Sequence, residues 1–120
     1  MAKVPEVLDQ MLDMWNETDL TKIDAFVEAI FSEDVVFIDP SNSIVGRKAF
    51  VEMVKEFRTT FPDAFNSRSS GVDAHHGLHR YHWEIHRGDE MLISGFDVTE
   101  VNAAGQVSRV EGFFGPMPEA

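Results

Sequence analysis

Apolar side chains at Val4, Val7, Leu8, Met11, Leu12 and Trp15 recur every three or four residues, the spacing that lines one face of an α-helix. Pro5 suits the first turn of that helix, where its missing N–H costs nothing. Ile23, Phe26, Val27, Ile30 and Phe31 predict a second helix from about Leu20 to Phe31. Val35–Ile38 reads as a short strand stopped by the turn-forming cluster Asp39-Pro40-Ser41-Asn42. A third helix, from about Arg47 to Thr59, carries Phe50, Val51, Val54 and Phe57 and ends before Pro62. Beyond it the pattern turns to strands: Asn66–His76, Leu78–Arg87, Glu90–Val101 and Val107–Phe114, separated by Gly77, Gly88-Asp89 and Asn102-Ala103-Ala104-Gly105. Three helices followed by an antiparallel meander predict an α+β fold, with the helices covering one face of a curved sheet.

The second long strand alternates cleanly. Tyr81, Trp83 and Ile85 point one way, and Arg80, His82, Glu84 and His86 the other. Either the polar face is simply in water, or it lines a cavity while the apolar face packs against something else, such as a second subunit. Metal binding fits poorly: His82 and His86 stand four apart, roughly 13 Å on a strand, and His75-His76 would point to opposite faces. The order His-Trp-Glu-Ile-His also misplaces the glutamate of an HExxH site.

Two aspartates stand among apolar residues. Asp39 closes Val35-Val36-Phe37-Ile38, and Asp97 sits between Phe96 and Val98. A carboxylate there must be paired, hydrogen-bonded or protonated. Asp39 has an ordinary structural reading as an Asx-turn before proline, and Asp97 one as a cross-strand salt bridge to Arg80 or Arg109. Both also read as members of one shared pocket.

Composition narrows the classes. The 120 residues, 43% hydrophobic with ten phenylalanines, suffice for a single domain, 1–120, with one real core. The absence of cysteine excludes disulfides, thiolate catalysis and Cys-based zinc sites. A formal charge of -11 repels phosphate backbones and anionic membranes, so nucleic acid is not an expected ligand. Met1-Ala2-Lys3-Val4-Pro5-Glu6 contains no apolar h-region and no stretch approaches membrane-spanning length, so a cytoplasmic protein is expected. There is no phosphate-binding glycine loop and no G-x-S-x-G elbow.

Taken in order, Glu33-Asp34-Val35-Val36-Phe37-Ile38-Asp39-Pro40, Gly46-Arg47-Lys48-Ala49-Phe50, Gly95-Phe96-Asp97, Gly105-Gln106-Val107 and Gly112-Phe113-Phe114-Gly115 resemble the NTF2-like superfamily. Within it the chain is most similar to SnoaL-like and ketosteroid-isomerase-like proteins, over nearly its whole length. The resemblance implies a cone: a strongly curved antiparallel sheet wrapped around helices, with a pocket inside and often a homodimer on the outer sheet face. It implies Asp39 at the position of the isomerases' catalytic base and Asp97 at that of the acid that stabilises the enolate, a pairing known from that enzyme. The isomerases' hydroxyl donor would fall near Met11, which cannot donate, and Arg80, His82 and Glu84 would line a cavity that is apolar in steroid-binding relatives. A steroid isomerase therefore does not fit. Epoxide hydrolases of the limonene type use an aspartate–arginine–aspartate set, of which Arg80 and Asp97 would supply two members and His82 replace the third.

The expectation is thus a SnoaL-like protein with a small-molecule pocket and acid–base chemistry of isomerase, cyclase or hydrolase type. Asp39 and His82 are the candidate bases and Asp97 the acid. Arg80, Glu84, Trp15, Met11, Val110 and Phe114 would line the pocket, and no metal or cofactor is expected. Tyr81, Trp83 and Ile85, with Phe113, would form the dimer patch. The alternative is a ligand-binding or dimerisation module without turnover.

Overall fold

The computed structural model describes residues 4–120, so the Met1-Ala2-Lys3 start of the N-terminal segment lies outside the described residues. Helix α1 (Glu6–Trp15) is followed by a 3-10 turn (Leu20–Lys22), α2 (Ile23–Ile30), strands β1 (Phe31–Asp39) and β2 (Asn42–Val45), and α3 (Arg47–Thr60). Strands β3 (Phe65–Arg68), β4 (Asp73–His75), β5 (Leu78–Arg87), β6 (Glu90–Val101) and β7 (Val107–Phe114) complete the chain. The sheet runs β2-β1-β7-β6-β5-β3, with β4 also paired to β5.

The expected α+β architecture is present, with differences at the joints. The sheet is mixed, because β1 lies parallel to β7 while the other pairs are antiparallel. The second helix is shorter than its apolar spacing: Asp19 accepts hydrogen bonds from Thr21 N (3.0 Å) and Oγ1 (2.6 Å) to start a 3-10 turn. It ends at Ile30, where Phe31 turns extended and its carbonyl accepts from Arg47 Nε (3.0 Å) and Nη2 (2.8 Å). The segment read as a turn at Ser41-Asn42 opens strand β2, since Pro40-Ser41 alone closes a two-residue hairpin with Asp39 opposite Asn42. The single strand expected over Asn66–His76 is two short ones, both paired to β5.

The helices bury Leu8, Met11, Met14, Ile23, Val27, Ile30, Phe50 and Val54 against one sheet face, where they meet Phe31, Val35, Tyr81, Val107 and Val110. Phe31 and Phe50 stack with centroids 4.0 Å apart at the closed end of this core. A polar clamp fixes the other end of α1. Asn16 and Asn66 exchange hydrogen bonds (Asn66 N to Asn16 Oδ1 2.7 Å, Asn16 Nδ2 to Asn66 O 2.8 Å), and the buried Arg58 donates to the carbonyls of Trp15 (3.3 Å), Pro62 (2.8 Å) and Ala64 (2.8 Å). These bonds fix the backbone at Trp15, whose ring packs against Phe37, Phe50 and Phe57. Among the described residues no helix is long and apolar enough to cross a membrane.

Candidate active site

Along β1 and β7 the inward positions pass from core to cavity. Phe31 and Val35, like Val107 and Val110, are buried in the core, whereas Asp39, Gly112 and Phe114 line a cavity of about 700 Å³. That volume lies in the range of small-molecule sites. Its walls are mainly apolar and aromatic, with Met11, Trp15, Phe37, Phe57, Trp83 and Phe114 among them. The polar groups on it include Asp39, Asp97, Asn42, Glu56, Asn66 and Arg68.

One row of the sheet carries the chemistry. Tyr81 on β5 pairs with Asp97 on β6, and Asp97 with Gly112 on β7. Ile38 pairs with Glu111, so the next position brings Asp39 beside Gly112. The glycine is the gap between the two acids: a methyl group there would lie 2.9 Å from Asp97 Oδ1 and 3.3 Å from Asp39 Cβ. Asp39 is oriented by the turn it closes, its Oδ1 accepting from Ser41 N (2.8 Å) and Asn42 Nδ2 (3.1 Å). The Asx-turn reading of Asp39 therefore holds and coexists with a place in the cavity wall.

Asp97 Oδ1 accepts from Trp83 Nε1 at 2.9 Å. Burial raises the Asp97 pKa to about 7; the hydrogen bond from Trp83 and the Tyr81 hydroxyl work against that rise, and the charge of Asp39 adds to it. Tyr81 is buried, its hydroxyl 2.9 Å from Thr99 Oγ1, and burial followed by the charge of Asp97 pushes its pKa up. Asp97 accordingly has no salt bridge to Arg80 or Arg109: Arg80 pairs with Asp73 (2.8 Å) and Arg109 with Glu111 (2.9 Å).

Of the two readings of β5, the one with its polar face in water holds; the one that turned that face to a cavity, and Tyr81, Trp83 and Ile85 to a dimer patch, does not. Tyr81, Trp83 and Ile85 line the cavity, while Arg80 and His82 are exposed on the outer face and Glu84 is bonded to His86 Nε2 there (2.9 Å). A bulge decides which β6 residue meets which residue of β5. Arg87 opposes Glu90 and His86 opposes Met91, but Ile85 opposes Ile93, so Leu92 is an extra residue in β6. Counting back from the hairpin without it pairs Arg80 with Asp97. The one-residue slip gives Asp97 to Tyr81 and so puts it on the inward face with Tyr81. Arg80, His82 and Glu84 are thus not brought to Asp39 and Asp97, and the Arg80–Asp97 set of a limonene-type site is not formed. Val110 is also not on the cavity wall. One rung deeper than Gly112 and opposite Phe37 and Thr99, it is only 1% exposed and belongs to the core. Trp15, Met11 and Phe114 do line the cavity.

The residues missed at the sequence level are Tyr81, Trp83, Gly95 and Gly112. Gly95 faces Trp83, and a methyl group on it would lie 2.3 Å from Trp83 Cζ2 and 2.2 Å from the Phe113 carbonyl oxygen. Their signal was a glycine inside each of two strands, which marks a close approach. Among the described residues no three metal-ligating side chains are grouped to hold an ion.

A model of the SnoaL-like domain matches residues 8–110. The chain belongs to the SnoaL-like family. A crystal structure of a candidate isomerase of this family from Agrobacterium tumefaciens strain C58 superposes with a TM-score of 0.86 at 24% identity, covering 92% of this chain and 96% of that one. An NTF2-like protein of unknown function from Exiguobacterium sp. 255-15 gives 0.75 at 18% identity, covering 92% and 99%. A protein described as a candidate SnoaL-like polyketide cyclase, from Jannaschia sp. CCS1, gives 0.71 at 11%, covering 95% and 90%. At these identities the likeness establishes the NTF2-like fold. No curated protein sequence matches the chain.

Proposed function

We propose that this SnoaL-like protein performs acid–base chemistry on a neutral, largely apolar small molecule carrying a carbonyl-type oxygen, with Asp39 as the base and Asp97 as the hydrogen-bond donor. The observation that carries the reading is the pair of aspartates set across Gly112 in one mainly apolar cavity. Asp97, with its pKa raised to about 7, holds protonated and ionised forms together near neutrality. The protonated form donates to a developing oxyanion; Asp39, oriented by Ser41 and Asn42, takes the α-proton.

The ligand class follows from the walls. Arg68 is the cation on the cavity and is paired with Asp9, whereas Asp39, Asp97 and Glu56 make the lining acidic. Carboxylate and phosphate ligands are therefore disfavoured. The apolar lining removes one of the two arguments against a steroid-like ligand, and Met11, still without a hydroxyl, retains the other. Tyr81 brings a hydroxyl to the same row from β5. We also place a homodimer contact on the outer sheet face, at Ile38, Phe96, Val98 and Phe113, and the protein in the cytoplasm.

The test is a panel of small cyclic and aryl ketones in D2O, followed by NMR for binding and for exchange of α-protons. Wild-type protein is expected to bind members of the panel and accelerate exchange. Asp39→Asn should retain binding and lose exchange. Binding without exchange in the wild type would favour the non-catalytic ligand-binding module, and preference for anionic over neutral compounds would overturn both.

A further inference from the structure

Trp83 and Gly95 form a second cross-strand row next to that of Tyr81, Asp97 and Gly112. The indole lies where a side chain of residue 95 would stand, since a methyl group there would meet Trp83 Cζ2 at 2.3 Å and Cη2 at 2.7 Å. Phe114, the β7 member of the row, closes on the ring edge-to-face with centroids 6.0 Å apart. So held, the ring directs Nε1–H along the sheet to Asp97 Oδ1 at 2.9 Å. A glycine in mid-strand weakens a sheet unless something needs the space. Here the space is taken by the indole, and the result is a donor fixed against one oxygen of the acid.

We propose that Trp83 is a positioning residue for Asp97: its indole, seated over Gly95 and braced by Phe114, fixes the carboxyl by one oxygen and thereby sets both its orientation and its readiness to release a proton. This rests on the reading of Asp97 as the site's acid. An indole N–H can only donate, so it favours the ionised carboxylate and offsets part of the effect of burial. The other titratable groups on this cavity are Asp39 from β1, Tyr81 from β5, Glu56 from α3 and Arg68 from β3, which is paired with Asp9 from α1. Of these the Tyr81 hydroxyl also favours the carboxylate and Asp39 opposes it.

Trp83→Phe tests this, because it keeps an aromatic ring in the row and removes the N–H together with the second ring, while the wild-type indole signal reads the N–H alone. Side-chain carboxyl NMR would follow Asp97 through pH 5.5–9 in both proteins, and the two indole N–H signals, from Trp15 and Trp83, would be followed in the wild type. The Asp97 midpoint should rise by roughly one pH unit in Trp83→Phe, the size of one hydrogen bond to a charged group. In the wild type the Trp83 N–H signal should move with the midpoint of Asp97. A role confined to packing would leave both unmoved. If Asp97 titrates near 7 in the wild type while neither effect appears, the positioning role is wrong and the acid assignment stands. If Asp97 instead stays ionised throughout that pH range, the acid assignment fails and the positioning role falls with it. Should Trp83→Phe fold poorly, the wild-type indole signal alone decides.

Discussion

Replacing Asp97 by asparagine should stabilise the protein, and by an amount that depends on pH. The folded-state pKa is raised from 3.8 to about 7, a shift of roughly three units, each equivalent to about 1.4 kcal/mol. A raised carboxyl pKa contributes stability at low pH and loses it as pH climbs from the unfolded value to the folded one. Above pH 7 the folded wild type therefore carries a penalty of at most about 4 kcal/mol, reduced by whatever water the cavity admits. The amide introduced by Asp97→Asn cannot ionise, and its oxygen can still accept from Trp83. The sequence pI near 4.7 sets a practical lower limit on pH, so urea denaturation from pH 5.5 to 8.5 is the assay. Across that range the stability of Asp97→Asn relative to wild type should grow by about 2 kcal/mol and level off above pH 7. A difference that stays constant with pH would refute the reasoning, because an ordinary Asp97 is fully ionised throughout that window.

Gly112→Ala should push the two aspartates apart, lowering stability by about 1 kcal/mol and weakening ketone binding at least tenfold. Gly71→Ala, where nothing lies within 4 Å of an added methyl, serves as its neutral control, and calorimetry with denaturation reads both. Phe113 is 56% exposed and stacks on Phe96 at 5.4 Å on the outer face. Phe113→Lys should convert a dimer to a monomer in light scattering with little change in far-UV circular dichroism; a wild type already monomeric at high concentration would remove the dimer proposal.

Much of the fold was legible because helical periodicity survives local detail. The apolar stripes at Val7, Leu8 and Met11, at Ile23, Val27 and Ile30, and at Phe50 and Val54 are the stripes that fill the core. The two aspartates were legible as well, since a carboxylate among apolar strand residues is conspicuous. The faces of β5 were legible too, since apolar side chains turn inward as a rule; it was the resemblance that put Arg80, His82 and Glu84 on the cavity. The partner of Asp97 was not legible, because it depends on one extra residue at Leu92, and an apolar residue in an apolar run leaves no mark as a bulge. Without that residue Asp97 would stand opposite Arg80, the salt bridge that the sequence allowed. The two glycines were hidden for another reason: Gly95 and Gly112 act by leaving room for Trp83 and for the aspartates, which only the folded neighbours reveal. Strand β2 was lost to Asn42 and Ser43, which carry turn chemistry yet pair with Asp39 and Ile38.

The central claim is that Asp97 stands in the cavity as an acid poised near neutrality, across Gly112 from Asp39. A carboxyl NMR titration of Asp97 in the ligand-free wild-type protein tests it most directly, needing no knowledge of the substrate. A midpoint of about 7 is expected. A midpoint near the ordinary value of 3.8 would contradict it.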